Sequence, residues 1–211
     1  RSLANAKTSL IGCGTNMSAA YDQMQNFSNS RGSNLASDSS IGMDESLSMS
    51  KNINKVQNAV QSYAKLTGLD VKDAKDSINT ISAGISGGIS SPRIKGLLGL
   101  PITAQANANA GYEHREQWND STASNINTTS QAQLQIAQDY KDGMDEISRI
   151  SKSESFRNSS TEAANFSDGF NSKMSIAEAH RRDMQNSITE SAAWQQSANH
   201  VSSSSVGVTN D

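Results

Sequence analysis

Residues 49–68 read MSKNINKVQNAVQSYAKLTG, and the apolar positions in this stretch decide the fold class. Met49, Ile53, Val56, Val60 and Tyr63 recur at intervals of 4, 3, 4 and 3 residues. That spacing puts them on one face of a helix and leaves Lys, Asn and Gln on the other. Gly68 follows where a left-handed C-terminal cap belongs. Asp70 is placed to cap a second helix, with Val71, Ala74, Ile78 and Ile81 as its apolar face. The two helices are expected to pack against each other or a shared neighbour. The stripe on the first is read as an internal helix–helix seam, with a partner-binding seam as the alternative.

Beyond Ile81 the period changes. Ile81, Ala83, Ile85, Gly87 and Ile89 alternate with Ser and Gly, and from Ile102 to Tyr112 alanines alternate with Thr, Gln and Asn. Alternation puts apolar groups on one face of a strand, so a small two-stranded antiparallel β-hairpin is expected over 81–112. Ala, Gly and Asn are poor strand formers, so alternation alone supports the pair. From Ser130 helical spacing returns through Ala137, Tyr140, Met144 and Ile147. Ala163, Phe166, Phe170, Met174, Ala177, Met184 and Ile188 then predict one helix from Thr161 to His200, ~60 Å long, with a bend possible at Gly169. Upstream, Ala20, Met24 and Phe27 form a weak stripe before a Ser/Asn/Gly linker from Ser28 to Ser40. The expected fold is therefore mainly α: an elongated bundle of long amphipathic helices with a small β-hairpin. Within what reads as one domain, residues 1–40 are polar and weakly helical, 41–80 a helical pair, 81–112 the hairpin, 113–201 long C-terminal helices and 202–211 a flexible tail.

Composition narrows the function. Leu, Ile, Val and Phe together number 35 of 211 residues, below the ~20% of a well-packed domain, whereas Ser, Thr, Asn and Gln number 81. The net charge is only −3, so thin apolar stripes on long helices fit better than wholesale disorder. There is no Lys/Arg run and no aromatic-rich strand to stack bases, which argues against a nucleic-acid partner. Nothing approaches ~18 consecutive apolar residues, so no membrane span is expected in this segment. Cys13 is the single cysteine and permits no internal disulfide. Leu10-Ile11-Gly12-Cys13 matches a lipoprotein cleavage box in letters only, because the preceding residues are polar. The chain opens on Arg1 with neither initiator Met nor signal peptide, and a fragment of a longer protein is expected.

No catalytic constellation is found: no Gly-x-Ser-x-Gly, no His-Glu-x-x-His, no Cys-x-x-Cys and no phosphate loop. Tyr112–Trp118 and the group Glu178, His180 and Asp183 carry metal-ligating side chains, but no second cluster completes either set. The first is read as a solvated helix start carrying a buried Trp118, and the second as a surface hydrogen bond between the helical neighbours His180 and Asp183. Nothing near Cys13 provides the base a nucleophile needs. The expectation is no enzyme, no cofactor and no metal. The segment between Pro92 and Pro101 differs from the rest, spending Ile94, Leu97, Leu98 and Leu100 on what reads as the hairpin loop. The favoured reading is a plug folded back onto the helix bundle; the other is an exposed apolar contact for a protein or membrane surface, for which those four residues are the candidate partner contact.

The order of a polar helical region, a small-residue hairpin and the Ser/Ala/Gln-rich helix SITESAAWQQSANHV (Ser187–Val201) resembles the C-terminal periplasmic region of TraG-type mating-pair-stabilisation proteins of F-like conjugative plasmids. The resemblance covers most of the chain and is strongest from about Ser155 to Ser205. It implies the periplasmic domain of an inner-membrane protein, acting non-catalytically in type IV secretion during conjugation, in mating-pair stabilisation and in entry exclusion. The partners it implies are other conjugation envelope proteins and a recipient-cell exclusion protein. A self-assembling filament, flagellin-like or phage-tail subunit is the alternative.

Overall fold

A computed structural model of the chain describes the backbone of residues 2–32, 41–87 and 131–209, and side chains in those ranges from 4 to 189. The described residues form six helices and no strand: α1 (Ser2–Arg31), α2 (Met43–Thr67), α3 (Val71–Ser86), α4 (Gln131–Ser151), α5 (Glu154–Ser159) and α6 (Thr161–Thr209).

Local chemistry sets the helix ends. Gly68 takes φ +74° and its N–H reaches the Ala64 carbonyl at 2.8 Å, closing α2 with the left-handed cap expected of it. Asp70 caps α3 by accepting from the Asp73 N–H at 2.8 Å. Ser153 and Ser160 do the same for α5 and α6, accepting from the Phe156 and Ala163 amides. Lys152 and Ser153 thus separate α4 from α5 where the sequence shows no decisive break.

Four helices close a ring in which each neighbour runs antiparallel. Along α1 and α6, Gly12 faces His180, Gln23 faces Gly169, and Phe27 stacks on Phe166 at 4.4 Å. At the end of this pair, Arg31 meets Glu162 at 3.3 Å. Between α1 and α3, Gly14 lies against Thr80 and Lys75 pairs with Asp22. Between α3 and α4, Tyr140 Oη donates to Asn79 Oδ1 at 2.7 Å and Ser82 Oγ to the Ala137 carbonyl. Ser148 and Ser151 of α4 bond Asn171 of α6. α2 lies mainly against α4 and α3. Its stripe of Met49, Ile53, Val56, Val60 and Tyr63 is fully buried, so it serves the internal core.

This core stretches a small apolar allowance. All four phenylalanines (27, 156, 166 and 170) gather at one end of the bundle, with ring centroids 4.4 to 6.1 Å apart. Elsewhere small side chains and satisfied polar groups fill the space, as where Tyr63 Oη meets Ser77 Oγ at 2.8 Å.

Three expectations are corrected. Ile81–Ser86, read as the start of a β-strand, is the last part of α3. Ile78, Ile81 and Ile85 also satisfy the 3-and-4 spacing, and Ser, Ala and Gly bring no β-propensity to decide for a strand. The hairpin is thus not supported; its remaining positions from 88 to 112 lie outside the described residues. Ser28–Arg31, read as the start of a linker, is the last part of α1, and positions 33–40 lie outside the described residues. The tail expected from Ser202 is helical through Thr209, which makes α6 49 residues, ~74 Å, with no break at Gly169. A Cβ at Gly169 would stand 3.1 Å from Gln23 Oε1, so its glycine suits the close approach of α1.

Candidate functional site

The seam between α4 and α6 is tight at Asn171 and open one to two turns further along, where a cavity of about 260 Å³ reaches down to α1. Its floor is Cys13 and Met17 of α1 with Met174 and Ala177 of α6. Apolar knobs would ordinarily close such a seam. Here Lys141 and Asp145 of α4 stand opposite Glu178 and Arg181 of α6. Each pair folds back along its own helix. Lys141 Nζ donates to both Asp145 oxygens at 2.7 and 2.8 Å, while Arg181 Nε donates to Glu178 Oε2 at 2.8 Å and Nη2 to Oε1. Arg181 Nη1 also reaches the Ser86 carbonyl at the end of α3 and Gln185 Oε1. With the charges drawn along the helices, the space between them stays open.

Electrostatics follow from these contacts. The hydrogen bond from Arg181 holds the Glu178 carboxyl below the usual range, and Glu178 raises Arg181 in return. Burial pushes the Cys13 thiol up to about 12, only partly opposed by Lys141 and Arg181. Raised that far, the thiol holds its proton at neutral pH and forms part of the cavity wall.

The candidate contact residues Ile94, Leu97, Leu98 and Leu100, with Tyr112–Trp118, lie outside the described residues. Glu178 is occupied by Arg181. His180 lies instead over Gly12, where an added Cβ would stand 2.8 Å from its ring. Among the described residues no group of three or more His, Cys, Asp or Glu could hold a metal. The Leu10–Cys13 box sits inside α1 with Leu10, Ile11 and Cys13 buried. No described helix is long and apolar enough to cross a membrane. Sequence reasoning missed the cavity floor: Cys13 and Met17 belong to a 4-and-3 series running Ala6, Leu10, Cys13, Met17, Ala20, Met24, Phe27, all buried. That periodicity was the available signal. Comparison of the chain with family models, with curated proteins and with solved structures finds no match.

Proposed function

We propose that this chain is a non-catalytic protein–protein interaction module of a conjugative type IV secretion system. Its role is mating-pair stabilisation and entry exclusion, as a periplasmic domain of an inner-membrane protein. Other envelope components and a recipient-cell exclusion protein are the partners. The observation that carries this proposal is the length of α6. In the register set by Gly12–His180 and Gln23–Gly169, the first residue of α1 lies opposite residue 190, yet α6 continues to Thr209. Residues 191–209 therefore have no opposing α1 residues. Trp194, Ala198, Val201, Ser205 and Val208 keep the 4-and-3 spacing through that extension, a pattern suited to packing another helix. The extension also contains most of the phrase that resembles the TraG-type region. The apolar stretch Ile94, Leu97, Leu98 and Leu100 is the second proposed contact.

Trp194→Ser in the full chain tests the proposal. Helicity and thermal midpoint should match the parent, while conjugation frequency falls at least tenfold and capture of envelope proteins from conjugation-proficient cells is lost. Normal conjugation and capture by a folded variant would refute it. The same extension also suits self-assembly, as in a filament or tail subunit. Concentration-dependent sedimentation of the isolated chain at micromolar levels, abolished by Trp194→Ser, would favour that alternative.

A further inference from the structure

The cavity between α4 and α6 has an asymmetric charge. Lys141, Lys152, Arg181 and Arg182 line it against only Asp145 and Glu178. Both carboxylates are engaged through both oxygens, by Lys141 and by Arg181. Lys152 and Arg182, both exposed, close no ion pair within 4 Å among the described residues. The uncommitted charge at the mouth is thus positive. Ser86, Ser148 and Ser175 also line the cavity, with the Ser86 hydroxyl on the Ser82 carbonyl and that of Ser148 on Asn171. Beside them lies an apolar patch, where Met17, Met174, Ala177 and Cys13 offer a water molecule at most weak sulfur partners. A well-held buried water needs two to four polar partners, so water lying against that patch is readily displaced.

Size completes the description. About 260 Å³ falls just under the ~300–1,000 Å³ typical of sites for drug-sized ligands, which leaves room for a molecule of on the order of ten non-hydrogen atoms. The geometry points to a binding site for a small organic anion with a short apolar tail, its head drawn by the uncommitted positive charge of Lys152 and Arg182 at the mouth and its tail laid on Met17, Met174 and Ala177. Such a ligand would bridge α4 to α6 where the α4 side of the cavity contributes only charged and polar side chains, and the site is independent of any role in conjugation.

Methyl-labelled methionine gives a direct readout, because Met17 and Met174 line the cavity while Met24 and Met49 are buried elsewhere. Hexanoate titrated into the full chain should shift the Met17 and Met174 methyl resonances saturably, with a Kd on the order of a millimolar, and leave Met24 and Met49 unmoved. Hexanol should bind more weakly. The double variant Lys152→Gln and Arg182→Gln changes two exposed side chains and should keep the parent thermal midpoint while raising the hexanoate Kd roughly tenfold. Unmoved Met17 and Met174 methyls would mean a cavity that holds water only, and would overturn the proposal. So would equal responses to hexanoate and hexanol, or an unchanged Kd in the folded double variant. Shifts spread over all the methyls would show unspecific binding and overturn it as well.

Discussion

Asp76 is 8% exposed on α3, and burial raises its carboxyl to about 6 against the opposing pull of Lys75 and Lys72. Lys75 is itself turned toward Asp22 at 3.0 Å. A carboxyl whose folded pKa lies above its unfolded value binds protons better when folded, so its ionised form costs stability above about pH 6. That cost disappears as pH falls toward 4. Asp76→Asn should therefore stabilise the bundle by about 1–3 kcal/mol at pH 7.5 and by almost nothing at pH 4. Urea unfolding at the two pH values checks the sign. Gly143 shows a steric constraint of another kind: an added Cβ would stand 2.6 Å from Val56 Cγ2 at the α2–α4 contact. Gly143→Ala should cost about 1–3 kcal/mol, since the β-branched neighbour has little freedom to turn away. Combined with Val56→Ala, the loss should be smaller than the sum of the single losses by about 1 kcal/mol or more. Strict additivity in the double-mutant cycle would show that the two residues do not meet.

At the scale of elements, the α2–α3 corner depends on one backbone conformation. Gly68 holds φ +74° and nothing lies within 4 Å of where its Cβ would be, so substitution is opposed by the backbone alone. Gly68→Ala should cost about 1 kcal/mol, and Gly68→Asn clearly less, because asparagine tolerates the left-handed region. Equal losses in thermal unfolding would mean that the corner relaxes to a different cap. The seam between α4 and α6 shows how elements divide their work. Ser148, Ser151 and Asn171 clamp one part of it, while four charged residues hold the next part open.

For the molecule as a whole, the ring of α1, α3, α4 and α6 accounts for how so few large apolar residues support a fold. Antiparallel neighbours let Ala, Ser and Gly approach closely, and the phenylalanines are concentrated where α1, α5 and α6 meet. The Leu97 and Leu98 pair tests which surfaces serve partners. If this apolar stretch is a contact for the proposed function, Leu97→Ser with Leu98→Ser leaves the thermal midpoint in place and lowers conjugation frequency at least tenfold. If it plugs the bundle, the double change removes two buried side chains at ~2–5 kcal/mol each and the midpoint drops sharply. Both quantities are to be measured on the same variant.

Sequence alone determined the helices whose buried and exposed faces differ most in polarity. In α2, Met, Ile, Val and Tyr recur against Lys, Asn and Gln, and Gly68 and Asp70 mark its end and the next start by backbone chemistry that needs no tertiary partner. α1 was only partly legible, because Ala6, Cys13 and Ala20 are buried with little hydropathy contrast to announce it. The end of α3 was misread because Ile78, Ile81 and Ile85 fit a 3.6-residue period while Ile81, Ala83 and Ile85 fit a period of two. Enclosure of Ser82, Ala83 and Gly84 by neighbouring helices, a tertiary fact, goes with the helical period. The cavity was beyond sequence for the same reason. The spacings of Lys141 to Asp145 and Glu178 to Arg181 are visible along the chain, but their facing across a gap above Cys13 exists only once α1, α4 and α6 are packed, because the register between helices is set by contacts far apart in sequence.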